Sequence, residues 1–143
     1  MNRKTRDLSL CIQCGTCTAA CPSGRFTALR VRRLVRQAQE KNKVDDLWSC
    51  TTCYNCQERC PREIELVETV YALRREAVKR GEILTPHREV YDNVRNTGHA
   101  VPIDEEHKEK RRRVGLTELP GTTHKYPAAL AEVRRLLEAA ETG

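Results

Sequence analysis

Eight cysteines stand in two runs of one form. The first reads Cys11-Ile12-Gln13-Cys14-Gly15-Thr16-Cys17-Thr18-Ala19-Ala20-Cys21-Pro22. The second reads Cys50-Thr51-Thr52-Cys53-Tyr54-Asn55-Cys56-Gln57-Glu58-Arg59-Cys60-Pro61. Both are C-x2-C-x2-C-x3-C-P, and together they use every cysteine in the chain. A [4Fe–4S] cube takes one thiolate per iron. Three cysteines spaced by two residues curl around one cube in a single tight turn, and the fourth iron is reached from elsewhere. The spacing therefore predicts two [4Fe–4S] clusters and one-electron chemistry.

Where such runs are paired, the fourth cysteine of each serves the other cluster. Applied here, Cys11, Cys14, Cys17 and Cys60 hold one cluster, and Cys50, Cys53, Cys56 and Cys21 hold the other. The crossing ties the two halves of the sequence together and brings the clusters near each other. Gly15 and Thr16 allow close backbone approach in the first run, where the second has Tyr54 and Asn55. Different surroundings imply different reduction potentials. Zinc favours two C-x2-C pairs, or Cys with His, around one ion. A disulfide framework wants an oxidising compartment. Thioredoxin-like chemistry wants a strand beside its C-x-x-C. None of these accounts for two triplets each closed by Cys-Pro.

The elements that must position these runs read as helices. Between the runs, Phe26, Leu29, Val31, Leu34, Val35 and Ala38 recur at helical spacing, with Ser23 as a cap after Pro22. Asp45 to Trp48 reads as a helical turn leading into the second run. After that run, Leu66, Val70, Leu73 and Ala77 make a second stripe, ending at Gly81 with Lys79 and Arg80 near the C-terminal dipole. The two helices, each following a Cys-Pro, are expected to pack together beside the clusters. Pro86 to Asn96 reads as helix, with Val90 and Val94 on one face and Gly98 as a stop. Asp104 to Arg113 is a charge run, Leu116 to Tyr126 a loop, and Pro127 to Ala140 a last helix striped by Leu130, Val133, Leu137 and Ala140. No alternating strand pattern is present. The expected architecture is all-α: an α-helical ferredoxin domain over residues 1–81, then a helical and loop extension over 82–143 that docks a partner.

The 143 residues include one Phe, one Trp and four Tyr, so the core is small and a metal staple fits. The formal charge of +6 suggests an acidic or nucleic-acid partner. Eight thiolates and two oxidised cluster cores bring it to about +2, and base-stacking aromatics are scarce, so nucleic acid loses its support. A zinc module whose basic tail contacts nucleic acid is the alternative of a different class. The N-terminus Met1 to Asp7 is charged with no apolar stretch after it, and no run approaches a membrane span. The expectation is a cytoplasmic protein with reduced thiols and no membrane segment. His87, His99, His107 and His124 lie far from the runs and read as surface residues. Trp48 reads as core, Tyr54 as a shield for the second cluster or ordinary packing. Arg30, Arg32, Arg33 and Arg36 read as a docking face for an acidic partner or a solvated helix face.

Two such runs separated by a 28-residue helical linker resemble the helical ferredoxins, which include the iron–sulfur domain of succinate dehydrogenase and fumarate reductase. The wording of the motifs goes further. Cys11 to Cys17, Cys21-Pro22-Ser23-Gly24-Arg25, Leu47-Trp48-Ser49-Cys50-Thr51-Thr52-Cys53, and the tail segments Arg88 to Val94 and His124 to Pro127 with Ala129-Leu130 are similar to the C subunit of heterodisulfide reductase from methanogenic archaea. The resemblance covers nearly the whole chain. It implies an electron-transfer polypeptide of an oxidoreductase complex, with no catalytic site of its own. In that family it links a flavin- and iron–sulfur-containing subunit to a cysteine-rich catalytic one, which reduces the coenzyme M–coenzyme B heterodisulfide in methanogenesis. A hydrogenase or formate dehydrogenase module would connect through the flavin-containing partner. Complexes of sulfur metabolism similar to heterodisulfide reductase, or an anaerobic dehydrogenase, would use the same kind of wire.

Overall fold

The structure, a computed structural model, describes residues 7–41 and 43–142; the first six residues read above for targeting lie outside that range. Among the described residues every regular element is helical. The chain forms two compact units, Met1–Glu82 and Ile83–Gly143.

The first unit carries four α-helices: α1 (Thr16–Ala20), α2 (Val31–Gln39), α3 (Asn55–Glu58) and α4 (Leu66–Lys79). Short 3-10 turns at Leu8–Leu10, Ser23–Arg25 and Leu47–Ser49 connect them. The apolar stripes set the core. Val31, Leu34 and Val35 of α2 and Leu66, Val67, Val70 and Ala77 of α4 join Leu29, Leu47 and Ile64 in one buried cluster. A large apolar side chain contributes on the order of 1.5–3 kcal/mol on burial. Cys21 and Cys56 belong to the same cluster, so the core and the cysteine runs are one construction. Helices α1 and α3, the two short helices inside the runs, pack on each other. Helix α4 ends as its sequence predicts. Gly81 takes a left-handed φ of 77°, its N–H bonds to the Val78 carbonyl, and the Glu82 N–H bonds to the Ala77 carbonyl.

The segment before α2 departs from the expected helix. Only a 3-10 turn follows Pro22, and Phe26 is 89% exposed. Ser23 does not cap a helix; its hydroxyl donates to the Ser49 carbonyl and so ties the first run to the approach of the second. Arg30 holds the intervening loop closed, its Nη1 reaching the carbonyls of Gly24, Thr27 and Leu29 at 2.8, 3.0 and 2.8 Å. A Cβ on Gly24 would stand 2.9 Å from the Leu29 oxygen, so this tight loop needs glycine there.

The second unit holds α5 (Thr85–Thr97), α6 (Glu105–Arg113) and α7 (Pro127–Thr142). Helices α5 and α7 pack together, joined by Arg134 donating to the carbonyls of Arg95 and Asn96 at 3.0 and 2.9 Å and by Tyr91 donating to Glu141. Gly98 stops α5 at φ 68°, and its carbonyl accepts from the Thr123 hydroxyl at 3.0 Å. The charge run is a helix: Asp104 caps it by accepting from the His107 N–H, with acidic residues in its first turn and basic ones in its last. Lys108–Glu105, Lys110–Glu106 and Arg113–Glu109 pair along its surface, where solvent screens them. Among the described residues of this unit only Pro120 is buried.

Candidate metal centre

The two cysteine runs repeat in backbone as well as in sequence. Gln13 and Gly15 take left-handed φ values of 56° and 86°; the matching Thr52 and Tyr54 take 52° and 66°. After each second left-handed residue a short helix begins, at Thr16 and at Asn55. Two left-handed residues turn each run back on itself within a few residues. An L-residue held there costs about 1–2 kcal/mol, strain that marks a functional site when the surroundings hold it.

Cys11, Cys14, Cys17 and Cys60 line one cavity, together with Arg32, Arg62, Val35 and Ile64. Gln13 Nε2 donates to Cys11 Sγ at 3.5 Å, and the Thr16 hydroxyl lies 3.4 Å from Cys14 Sγ. That hydroxyl lowers the Cys14 thiol below its ordinary pKa. Burial raises Cys17, against the opposing hydrogen bond from Thr18. The other run gathers its thiols around Cys56, which is pushed up to about 12, first by burial and then by the thiols of Cys50, Cys17, Cys21 and Cys53 close by. Cys21 and Cys56 are each 9% exposed, whereas Cys14 and Cys53 are open to solvent. The Thr52 N–H reaches Cys50 Sγ at 3.4 Å.

Arg74, which hydrophobic periodicity does not single out, positions the second run. Its Nη2 reaches the carbonyls of Cys50 at 2.5 Å and Leu47 at 3.2 Å, and its guanidinium lies 5.2 Å from the centre of the Trp48 ring. The sequence carried a signal: Arg74 stands four residues after Val70 and three before Ala77, on the buried stripe itself, where a charge needs partners. Trp48 is half-buried against the core and donates to the Glu82 carbonyl at 3.2 Å. Tyr54 is 40% exposed beside Tyr71 and Glu68. The four linker arginines part company. Arg33 and Arg36 pair with Asp45 and Glu40, Arg30 closes its loop, and Arg32 reaches the cysteine cavity. The four histidines all lie in the second unit.

The donor set fits iron–sulfur clusters. All eight cysteines are free of disulfides. Among the described residues no three Cys, His, Asp or Glu converge on the distances of a single metal ion, while four thiols share one cavity. A cubane spreads its thiolates around its corners, so sharing a cavity is what it asks. Fold and donor set together define an α-helical ferredoxin with two [4Fe–4S] clusters, and residues 3–61 match the 4Fe-4S dicluster domain family. Over 136 residues the chain is 49% identical to the C subunit of the ferredoxin:CoB-CoM heterodisulfide reductase of Methanosarcina mazei, covering 92% of this chain and 84% of that one. It is 50% identical over 137 residues to the C subunit of the H(2):CoB-CoM heterodisulfide,ferredoxin reductase of Methanothermobacter thermautotrophicus, covering 92% and 74%. It is 50% identical over 133 residues to the iron-sulfur C subunit of the CoB–CoM heterodisulfide reductase of Methanopyrus kandleri, covering 90% and 69%. The chain belongs to the family of heterodisulfide reductase C subunits.

Proposed function

We propose that this chain is the electron relay of a heterodisulfide reductase, an oxidoreductase complex, and that it performs no substrate chemistry itself. In this reading it takes electrons from a flavin- and iron–sulfur-containing partner. It passes them to a cysteine-rich catalytic partner that reduces the CoM–CoB heterodisulfide in methanogenesis. The observation that carries the reading is the doubled cysteine run in a chain about half identical to polypeptides of that name over nearly all its length. Those relatives' names differ in the electron donor, ferredoxin in one and hydrogen in another, so a hydrogenase or formate dehydrogenase module enters this proposal only through the flavin-containing partner. Among the described residues no helix is long and apolar enough to cross a membrane. Eight ligand thiols need a reducing compartment, and we place the complex in the cytoplasm on that ground.

Each bound cluster supplies a one-electron couple, and the chain's residues hold it. We assign Cys11, Cys14, Cys17 and Cys60 to one cluster and Cys50, Cys53, Cys56 and Cys21 to the other. The shared cavity of the first four supports this; Cys56 has Cys50, Cys53 and Cys21 near it, with Cys17 of the first group close by as well. Cys14 and Cys53 present one exposed thiolate per group, where electrons can enter and leave. The extension after Glu82 buries little of its own apolar surface: Val101, Val114, Leu116 and Leu136 stay exposed, which supports a partner-docking role. Anaerobic purification should give about eight irons per chain and copurification with a flavoprotein and a cysteine-rich polypeptide. About four irons, or no such companions, refutes the reading. Cys21→Ala should remove the EPR signal of the cluster built on Cys50, Cys53 and Cys56; selective loss of the other signal refutes the crossed ligation.

A further inference from the structure

We propose that the group Cys11, Cys14, Cys17 and Cys60 holds the higher-potential of the two clusters, and that Arg32 is the positioning residue that raises it. The inference rests on the two-cluster, crossed-ligand reading above and adds the order of the relay. Reduction adds one negative charge to a cluster. Cations, hydrogen bonds to sulfur and access to water all favour the more negative form.

The two groups differ in each respect. Two guanidinium-bearing side chains, Arg32 and Arg62, line the first cavity, and no carboxylate does. Among the described residues neither has an ion-pair partner, so their charge is available to the thiolates. Arg32 is held at the mouth of this run: its backbone N–H donates to the Thr18 hydroxyl at 2.9 Å, and its Nη1 lies 3.8 Å from the place a Cβ on Gly15 would take. Three side chains, Gln13, Thr16 and Thr18, hydrogen-bond thiols of this group, against one backbone N–H from Thr52 in the other. None of the first four cysteines is buried; of the second four, Cys21 and Cys56 are. The second group has one such cation, Arg74, held through the main-chain carbonyls of Leu47 and Cys50, and the carboxylate of Glu68 acts on Tyr54 there, so two cations face the first group against one at the second. The downhill direction within the chain therefore runs from the Cys50–Cys53–Cys56–Cys21 group to the other. One electron moves, the donor cluster is oxidised, the acceptor is reduced, and no proton is needed. The electron then leaves beside the exposed Cys14.

The test is a potentiometric titration followed by EPR on the full chain loaded anaerobically with iron and sulfide. The wild type should show two midpoints. Arg32→Gln should lower the upper one by about tenfold in its one-electron equilibrium, 59 mV, and leave the lower nearly in place. Arg32→Lys, which keeps the charge, should restore most of that. Thr16→Val, which removes the hydroxyl beside the Cys14 thiol, should also lower the upper midpoint and decides alone if Arg32→Gln does not load. Movement of the lower midpoint in Thr16→Val, or no movement of either in Arg32→Gln, overturns the ordering. A wild type with about four irons or a single midpoint overturns the two-cluster reading instead.

Discussion

Arg74→Met should loosen the second cysteine run and leave the first alone. The magnitude follows from what the guanidinium does. Its Nη2 carries two N–H groups, and the carbonyls of Cys50 and Leu47 at 2.5 and 3.2 Å use both; Trp48 O at 3.5 Å is at the edge of a hydrogen bond. A hydrogen bond from a charged donor contributes about 1.5–3 kcal/mol, and these are part-buried, so the lower figure applies. The Trp48 ring at 5.2 Å adds about 0.5 kcal/mol. Together the loss is about 3.5 kcal/mol, roughly a few hundredfold in the equilibrium for local opening. Methionine keeps the apolar stem packed, so the core around Val70 and Ala77 should survive. The assay is iron release from the loaded chain to a ferrous chelator, with EPR resolving which cluster is lost. The second cluster should leave roughly a few hundredfold faster, release proceeding through that opening. Equal acceleration of both clusters would refute the local clamp, and an unchanged rate would refute the energy assigned to it.

Three further outcomes are expected. Gly98→Ala should destabilise the second unit by more than the roughly 1–2 kcal/mol of a left-handed alanine, because its Cβ would collide with the Thr123 side chain and press Leu130 Cδ1 at 3.3 Å; thermal melts read this, and a loss within that range shows that the loop yields. Gly15→Ala meets only the Arg32 tip at 3.8 Å, so its cost in denaturant unfolding should stay at the backbone strain of about 1–2 kcal/mol, and a larger loss would mean that the run needs glycine for room. Cluster assembly should depend on pH differently in the two groups. Ligation needs thiolates; in the first group the Thr16 hydroxyl lowers Cys14 while burial raises Cys17, but the larger shift is at Cys56, raised to about 12, so its thiolate fraction grows about tenfold per pH unit between pH 7 and 9. The Cys56 group should therefore load later and gain more from rising pH; parallel pH profiles in time-resolved EPR would contradict this.

The parts legible in sequence are those fixed by a local or rigid constraint. A cube of fixed size dictates C-x2-C-x2-C, so the runs announce their chemistry without any fold. The α4 stripe and its stop at Gly81, and α5 with its stop at Gly98, follow from period and a left-handed glycine alone. The segment 26–30 was not legible because tertiary bonds win there: Arg30 binds three carbonyls, Ser23 reaches across to Ser49, and Phe26 is left outside. Helices α1 and α3 were not legible either. At five and four residues they are far too short to nucleate alone, and they form because the left-handed pairs before them turn the chain and the two pack on each other. Arg74 was readable only as an anomaly on an apolar stripe; which carbonyls it would seek depended on the fold.

The charge balance joins fold to function. Of the chain's 26 Lys and Arg, 16 lie in residues 1–82 against 10 of its 20 Asp and Glu; residues 83–143 hold ten of each. The whole formal excess of +6 thus sits in the unit that carries the eight cysteines. Thiolates ligating two clusters remove more positive charge from that unit than the oxidised iron–sulfide cores return, and most of the excess is consumed. Part of that excess stands beside the thiols, where Arg32 and Arg62 line the cavity of Cys11, Cys14, Cys17 and Cys60. The second unit has no excess to offer, and α6 satisfies its own charges by pairing along the helix. On the docking role proposed above for the extension, its exposed residues Val101, Val114, Leu116 and Leu136 are what it has to present, so that attachment should weaken little with salt, unlike contacts made by the arginines of the first unit.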